Sequence, residues 1–257
     1  VGWNPDRMLS WKNRLVADFN DKGLWTYSGG TWSGIAGWNA ENMADWGDKL
    51  AADFGDAGLW IYDGSSWTGL ASWNAENMQV WKDNLIADFG ENGIWMYDTK
   101  WSGLLDRNPE NMTVWNENLL ADFGKDGLWS YNGSTWTGLV AWNPDNMLDW
   151  KNKLVADFDD KGLWTYSGST WTGLVGWNAE NMTVWGDKLL ADFGGSGLWI
   201  CNGTTWTGLV GWNAENMTVW GDKLLADFGN SGLWAYNGSS WTGLVGWDVE
   251  NIQAIGF

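Results

Sequence analysis

The sequence predicts an all-β fold built from repeated four-stranded antiparallel units, and three observations carry that reading. First, the stretch 177–211 returns at 212–246 with only five changes: Asn230 for Gly195, Ala235 for Ile200, Tyr236 for Cys201, Ser239 for Thr204 and Ser240 for Thr205. Looser copies begin near residues 3, 38, 73, 107 and 142, and a partial eighth occupies 247–257. A period of 20–50 residues marks one supersecondary unit stacked to build a shared core. Second, no apolar-periodic segment reaches ten residues without a glycine-rich or Asx-rich break, which disfavours helix. Third, charged residues are only 18% and aromatics 16%, a core-rich composition that argues for order.

Within the copy that starts at Trp177, Asn181 to Trp185 reads as a first short strand, and Gly186-Asp187-Lys188 as a tight turn of the type that joins hairpin strands. Lys188 to Phe193 reads as a second strand, and the glycines of 194–197 suit positive φ. Leu198 to Cys201 is expected as a third strand, 202–205 as a second hairpin turn, and Trp206 to Val210 as a fourth strand. Four short strands repeated radially make the blade of a β-propeller. The AlaAspPhe strand and the fourth-strand Trp each occur seven times, so a single seven-bladed β-propeller over 1–257 is expected. An eight-bladed form, with one blade completed by both termini, is the alternative.

TyrAsnGly-x-x-Trp-x-x-Leu leading into the last strand resembles kelch-type blades, and Gly64 to Trp67 and Gly203 to Trp206 are similar to part of the Asp-box turn of sialidase propellers. The Trp/Gly-rich repetition resembles the tachylectin-type and tectonin-type propeller lectins. Here AspPheGly stands where kelch has a double glycine, and the Asp of the Asp box is missing from its slot. The resemblance implies a propeller and, through the lectins, carbohydrate binding. Near-identical repeats also suit recent amplification or a designed symmetric propeller.

Four Trp slots recur in the unit. Large rings fill the gap of roughly 10 Å between packed sheets, each burying on the order of 150–250 Å², so packing is the default role. The first-strand Trp gives way only to Ile255, in the broken copy, and is expected to be buried. The slot before the Asn turn is Trp in every copy but one, where Arg107 stands. A guanidinium needs a route to water, so this slot is either an exposed ring or a half-buried wedge between blades. The Met slot (Met8 to Met217) reads as packing. The Asp of AlaAspPhe reads as an acceptor for backbone or indole N–H groups, or as one of a set of carboxylates lining an axial channel.

The inter-blade turn Trp-Asn-Pro/Ala-Asp/Glu-Asn is a type I turn signal that places Asp6, Glu41, Glu76, Glu110, Asp145, Glu180, Glu215 and Glu250 around one rim. Eight of the fourteen cations, Lys12 and Lys82 among them, fall at the opposite turns, so opposite ends of each blade should differ in charge.

Net charge is −18, a surface that repels phosphate backbones and anionic lipid, so neither nucleic-acid binding nor membrane insertion is expected. There is no histidine, which removes His-dependent triads and imidazole metal sites. Cys201 stands where sister repeats carry Tyr and reads as a small apolar substitute. Val1, not Met, opens the chain, as expected of a fragment or processed form.

A non-enzymatic binding propeller is therefore expected, carbohydrate-binding and multivalent, as a monomer. The candidate ligand residues are Trp38, Asn39 and Glu41; Trp73, Asn74 and Glu76; Trp142, Asn143 and Asp145; Trp177, Asn178 and Glu180; and Trp212, Asn213 and Glu215. An indole stacks on the CH face of a sugar while amide and carboxylate pair with its hydroxyls. No cofactor is expected, although acid and Asn oxygens could take calcium without the EF-hand spacing. The alternative is a structural or protein-interaction scaffold with no small-molecule site. A sialidase- or lyase-type hydrolase would need one asymmetric site, for which only Arg107 and the short turn at Asp98 and Lys100 stand out.

Overall fold

The structure, a computed structural model, describes residues 3–249 and residue 252. It contains seven four-stranded antiparallel sheets, each with its strands in chain order. In the sixth blade these are Asn181–Trp185, Lys188–Asp192, Leu198–Cys201 and Trp206–Val210, as expected except that the second strand ends at Asp192, one residue early. The expected glycine turn is a short 3₁₀ helix, Gly194–Ser196, and its counterpart closes the second strand of every blade. The partial eighth copy lies mostly outside the described residues. Blades 1–4 form one compact unit, ending at Asn143, and blades 5–7 another, starting at Pro144.

Turn chemistry sets the register. Where the first hairpin turn is Lys12-Asn13, Lys82-Asp83, Asn116-Glu117 or Lys151-Asn152, both central residues have positive φ, the type I′ pattern. Where it begins with Gly47, Gly186 or Gly221, only that first residue does, the type II′ pattern. In the second hairpin turn the side chain of Asp63 or Asn132 accepts the backbone N–H groups two and three residues on. Such Asx turns fix the loop without glycine at every position.

The core lies between blades. Leu59 and Ala51 of blade 2 pack with Ala75, Met78, Leu85 and Phe89 of blade 3, and Ile86, Ile94 and Trp81 of blade 3 pack with Met112, Leu119 and Phe123 of blade 4. Leu190 and Leu198 meet Leu224 and Phe228 in the same way. The second strand is buried on both faces, as in Leu85–Asp88, which explains its unbroken apolar run. Cys201 is buried beside Trp150 and Leu189, filling the Tyr position as a small apolar group. No helix of the described residues is long and apolar enough to cross a membrane.

The tryptophans divide the work, and the expectation of first-strand burial needs correction. Trp11, Trp81, Trp115 and Trp150 are buried, but Trp46 and Trp185 are half-buried and Trp220 is 50% exposed. The third- and fourth-strand rings are half-buried too. Their indole N–H groups, not burial alone, explain their fixed places. First-strand Trp46, Trp81, Trp150 and Trp185 donate to the first-turn carbonyl of the following blade at 2.7–3.0 Å. Third-strand rings donate to their own 3₁₀ turn, as Trp60 does to Ala57 at 2.8 Å. Fourth-strand Trp67, Trp101 and Trp136 donate back to the preceding blade.

Candidate functional site

The inter-blade turns and the 3₁₀ turns sit at one end of each blade, and the two hairpin turns at the other. Among the described residues the first end carries 22 Asp and Glu against five cations, and the second nine against nine. The charge difference expected from the sequence thus takes another form: an acidic end and a neutral one. The turn cations are present, but acids such as Asp48, Asp83 and Asp187 offset them, and several lysines lie over indole faces, Lys82 at 4.6 Å from Trp81.

At the acidic end the Trp slot is solvent-exposed: Trp38 50%, Trp73 44%, Trp177 46% and Trp212 47%, with Trp142 half-buried. It is no wedge between blades. Each ring packs edge-on against its own blade, Trp73 meeting Phe89 at 5.4 Å and Trp95 at 5.7 Å. Arg107 copies this arrangement with its guanidinium 4.1 Å from the Phe123 ring, and a 2.8 Å ion pair to Asp126 fixes it.

The structure divides the residues that the sequence grouped. Trp73 lines a cleft of about 530 Å³ with Trp95, Glu91, Asn92, Leu104 and Asp106. Asn74 and Glu76 line a different, polar cleft of about 390 Å³ with Asp6, Arg7, Asn39 and Glu41. There, and at other blade junctions, such amides and carboxylates already bond to one another across blades. Asn74 donates to Glu41 at 3.0 Å, Asn143 to Glu110 at 3.1 Å, and Asn213 to Glu180 at 2.9 Å. Asn178 instead donates to Asp159 at 3.0 Å, because the turn acid there is the shorter Asp145.

Glu91, Asn92 and Asp106 were not legible as lining groups. They fall at positions that vary between repeats, and they meet where the 3₁₀ turn and the end of the fourth strand of blade 3 come together, with Gly103 opposite Trp95. Gly103 lines the same cleft and packs against the Trp95 ring, where an added Cβ would stand in ordinary contact at 3.8 Å.

The AlaAspPhe carboxylates are buried and do not line an open channel. Asp53 accepts the backbone N–H of Ala75 in the next blade at 3.1 Å and of Gly55 at 3.2 Å. Asp157 accepts Ala179 at 2.9 Å. In Asp53 and Asp157 the acceptor role is met by backbone N–H groups, and Asp88 takes the Gly90 N–H and the Asn77 amide. Burial pushes Asp18, Asp53 and Asp157 up to about 6 and Asp88 to about 7, against N–H groups that pull them down.

No protein-family model matches the chain, and no curated protein matches it. Solved structures are similar to it in fold. A computationally designed protein, Ika8, shares 9% identity at TM-score 0.75, covering 100% of this chain and 91% of that one. BBS1N in complex with ARL6DN shares 15% identity at TM-score 0.62, covering 86% and 84%. YCF48 from Cyanidioschyzon merolae shares 11% at TM-score 0.58, covering 87% and 91%. Likeness at such identity shows the fold alone, and that fold is a seven-bladed β-propeller of four-stranded blades.

Proposed function

We propose that the chain is a non-enzymatic, multivalent binding propeller that holds carbohydrate on its slot tryptophans. The observation that supports this most is the repeated exposed indole, held edge-on by Phe and the third-strand Trp so that a ring face stays open. Glu91, Asn92 and Asp106 give the Trp73 cleft planar polar groups beside that face. Of the residues expected from the sequence, Trp38, Trp73, Trp142, Trp177 and Trp212 act as stacking platforms. Their Asn and Glu neighbours hold adjacent blades and reach ligand only at the cleft edge. Several weak sites on one chain act by avidity.

The test is calorimetric titration with mono- and oligosaccharides of the parent and of a variant with Trp38, Trp73, Trp177 and Trp212 changed to Arg. Blade 4 already carries Arg in this slot, so the variant should fold. Saturable binding in the parent and much weaker binding in the variant, which keeps Trp142, are expected. No saccharide binding by a folded parent sinks this reading.

A second reading, a protein-interaction scaffold, is supported by the Asn–Glu pairs already engaged between blades. YCF48 is described bound to D1 peptide, and BBS1N in complex with ARL6DN. Retention of a peptide partner by the four-Arg variant would favour it.

A further inference from the structure

Blade junctions share one polar pair, in which an Asn amide donates to the turn carboxylate one repeat earlier. It recurs at Asn74–Glu41, Asn108–Glu76, Asn143–Glu110 and Asn213–Glu180, at 2.9–3.2 Å. After blade 7 the pattern changes chemically. The residue following Trp247 is Asp248, a carboxylate where the sister turns carry an amide. Oxygens of Glu215, Asp227 and Asp248 all lie within 4.8 Å of one another.

Asp227 is the AlaAspPhe carboxylate of blade 7. It is fully buried, and neither of its oxygens has a hydrogen-bond partner. Asp53 and Asp88 hold two donors each, and Asp192, which shares the unpartnered state, is not grouped with two further carboxylates among the described residues as Asp227 is. The backbone N–H groups of Val249 and Gly229 face it without closing to bonds. Glu215 is seated over Gly229, its Oε1 2.3 Å from where a Cβ would stand, so its carboxylate is placed by packing. None of the three is ion-paired to Lys or Arg among the described residues. Three carboxylates this close, one of them desolvated and without a donor, demand a compensating positive charge.

We propose that Glu215, Asp227 and Asp248 form a calcium site that pins the segment after blade 7 to that blade. All-oxygen ligands select a hard cation, with no imidazole or thiolate to favour zinc. Magnesium demands near-ideal octahedral geometry at about 2.1 Å and keeps most of its water, whereas calcium accepts an irregular set of carboxylate oxygens at about 2.4 Å. The remaining positions go to water, because Glu215 and Asp248 are exposed. The affinity expected of three carboxylates at a partly open site is on the order of 10⁻⁴–10⁻³ M. The site does not depend on the carbohydrate reading.

The experiment strips the full chain with chelator, then follows terbium luminescence sensitised by tryptophan, its displacement by calcium, and Tm with and without calcium. One displaceable ion per chain and a higher Tm with calcium are expected. Asp248→Asn restores the sister residue, so it should fold, yet weaken terbium and calcium binding by about tenfold or more and abolish the calcium-dependent Tm shift. Equal binding in D248N would overturn the proposal, placing the ion diffusely on the acidic end. Absence of saturable binding in the parent would also overturn it, and a higher Tm for D248N in that case would show that the carboxylates share protons instead.

Discussion

Gly55 shows how far one residue's choice depends on another 14 positions away. Its φ is +59°, and an added Cβ would stand 2.5 Å from Oε1 of Glu41. Gly90, Gly124, Gly194 and Gly229 meet Glu76, Glu110, Glu180 and Glu215 in the same way. Where the turn acid is the shorter Asp6 or Asp145, the partner position holds Asn20 or Asp159, still at positive φ. The repeat thus swaps the two residues together, because a Glu carboxylate and a Cβ compete for one space. Gly55→Asp should destabilise by about 1–3 kcal/mol, while Glu41→Asp with Gly55→Asp, the pair that blade 5 carries, should recover most of it. Chemical denaturation of both singles and the double checks this; additive losses would sink the steric coupling.

The buried carboxyls give a pH dependence at the same scale. Folded values near 6–7 lie above the unfolded value of about 3.9, so these groups favour folding while protonated. That contribution is present in full below about pH 4 and is lost as pH rises through about 4 to 7. Asp63 and Asp98, held below the ordinary range by turn N–H groups, act the other way in stronger acid. Tm should therefore rise on going from pH 8 to pH 5, and Asp53→Asn should flatten that rise while leaving the fold intact. An unchanged slope in D53N would remove Asp53 as a source.

At the scale of the blade, the Trp slots differ in what a substitution should cost. Trp81 is buried between blades 3 and 4 and donates to Glu117 at 2.7 Å, so Trp81→Ala should lose roughly 3–5 kcal/mol. Trp38 has one face in water, and Arg107 shows that a guanidinium takes over the same stacking on Phe, so Trp38→Arg should stay within about 0.5–1 kcal/mol. Thermal unfolding of the two variants compares them directly; equal losses would show that the slot ring is core after all. The four strands, their turns and the blade count were legible because turn residues and short apolar runs act over a few residues and recur at a fixed period. The 3₁₀ turn was not, because glycine permits it without specifying it.

Across the whole molecule, almost all the net charge falls at the inter-blade-turn ends, where 22 described carboxylates face five cations. Repulsion among them opposes folding and is screened within a Debye length of about 8–10 Å near physiological salt. Raising NaCl from low to moderate ionic strength should raise Tm by a few degrees, with most of the effect below about 0.2 M. A Tm that falls or stays flat would mean that the acids are already neutralised by bound cations.

By itself the sequence determined the period, the strands and turns and the seven blades, and it marked the Arg107 slot as either exposed or a wedge between blades, a choice the structure made. Each follows from chemistry local to one repeat or from comparing repeats. Only the tertiary structure decided which groups meet. Asn74 turns to Glu41 of the neighbouring blade instead of joining Trp73, and Trp73 shares its cleft with Glu91 and Asp106. Strand pairing repeats in every copy, with one extra pair, Ser28 with Thr31, in blade 1. A side chain at a loop, however, chooses its partner from whatever the stacking of blades brings within a few ångströms, and that distance is not written in the spacing of the chain.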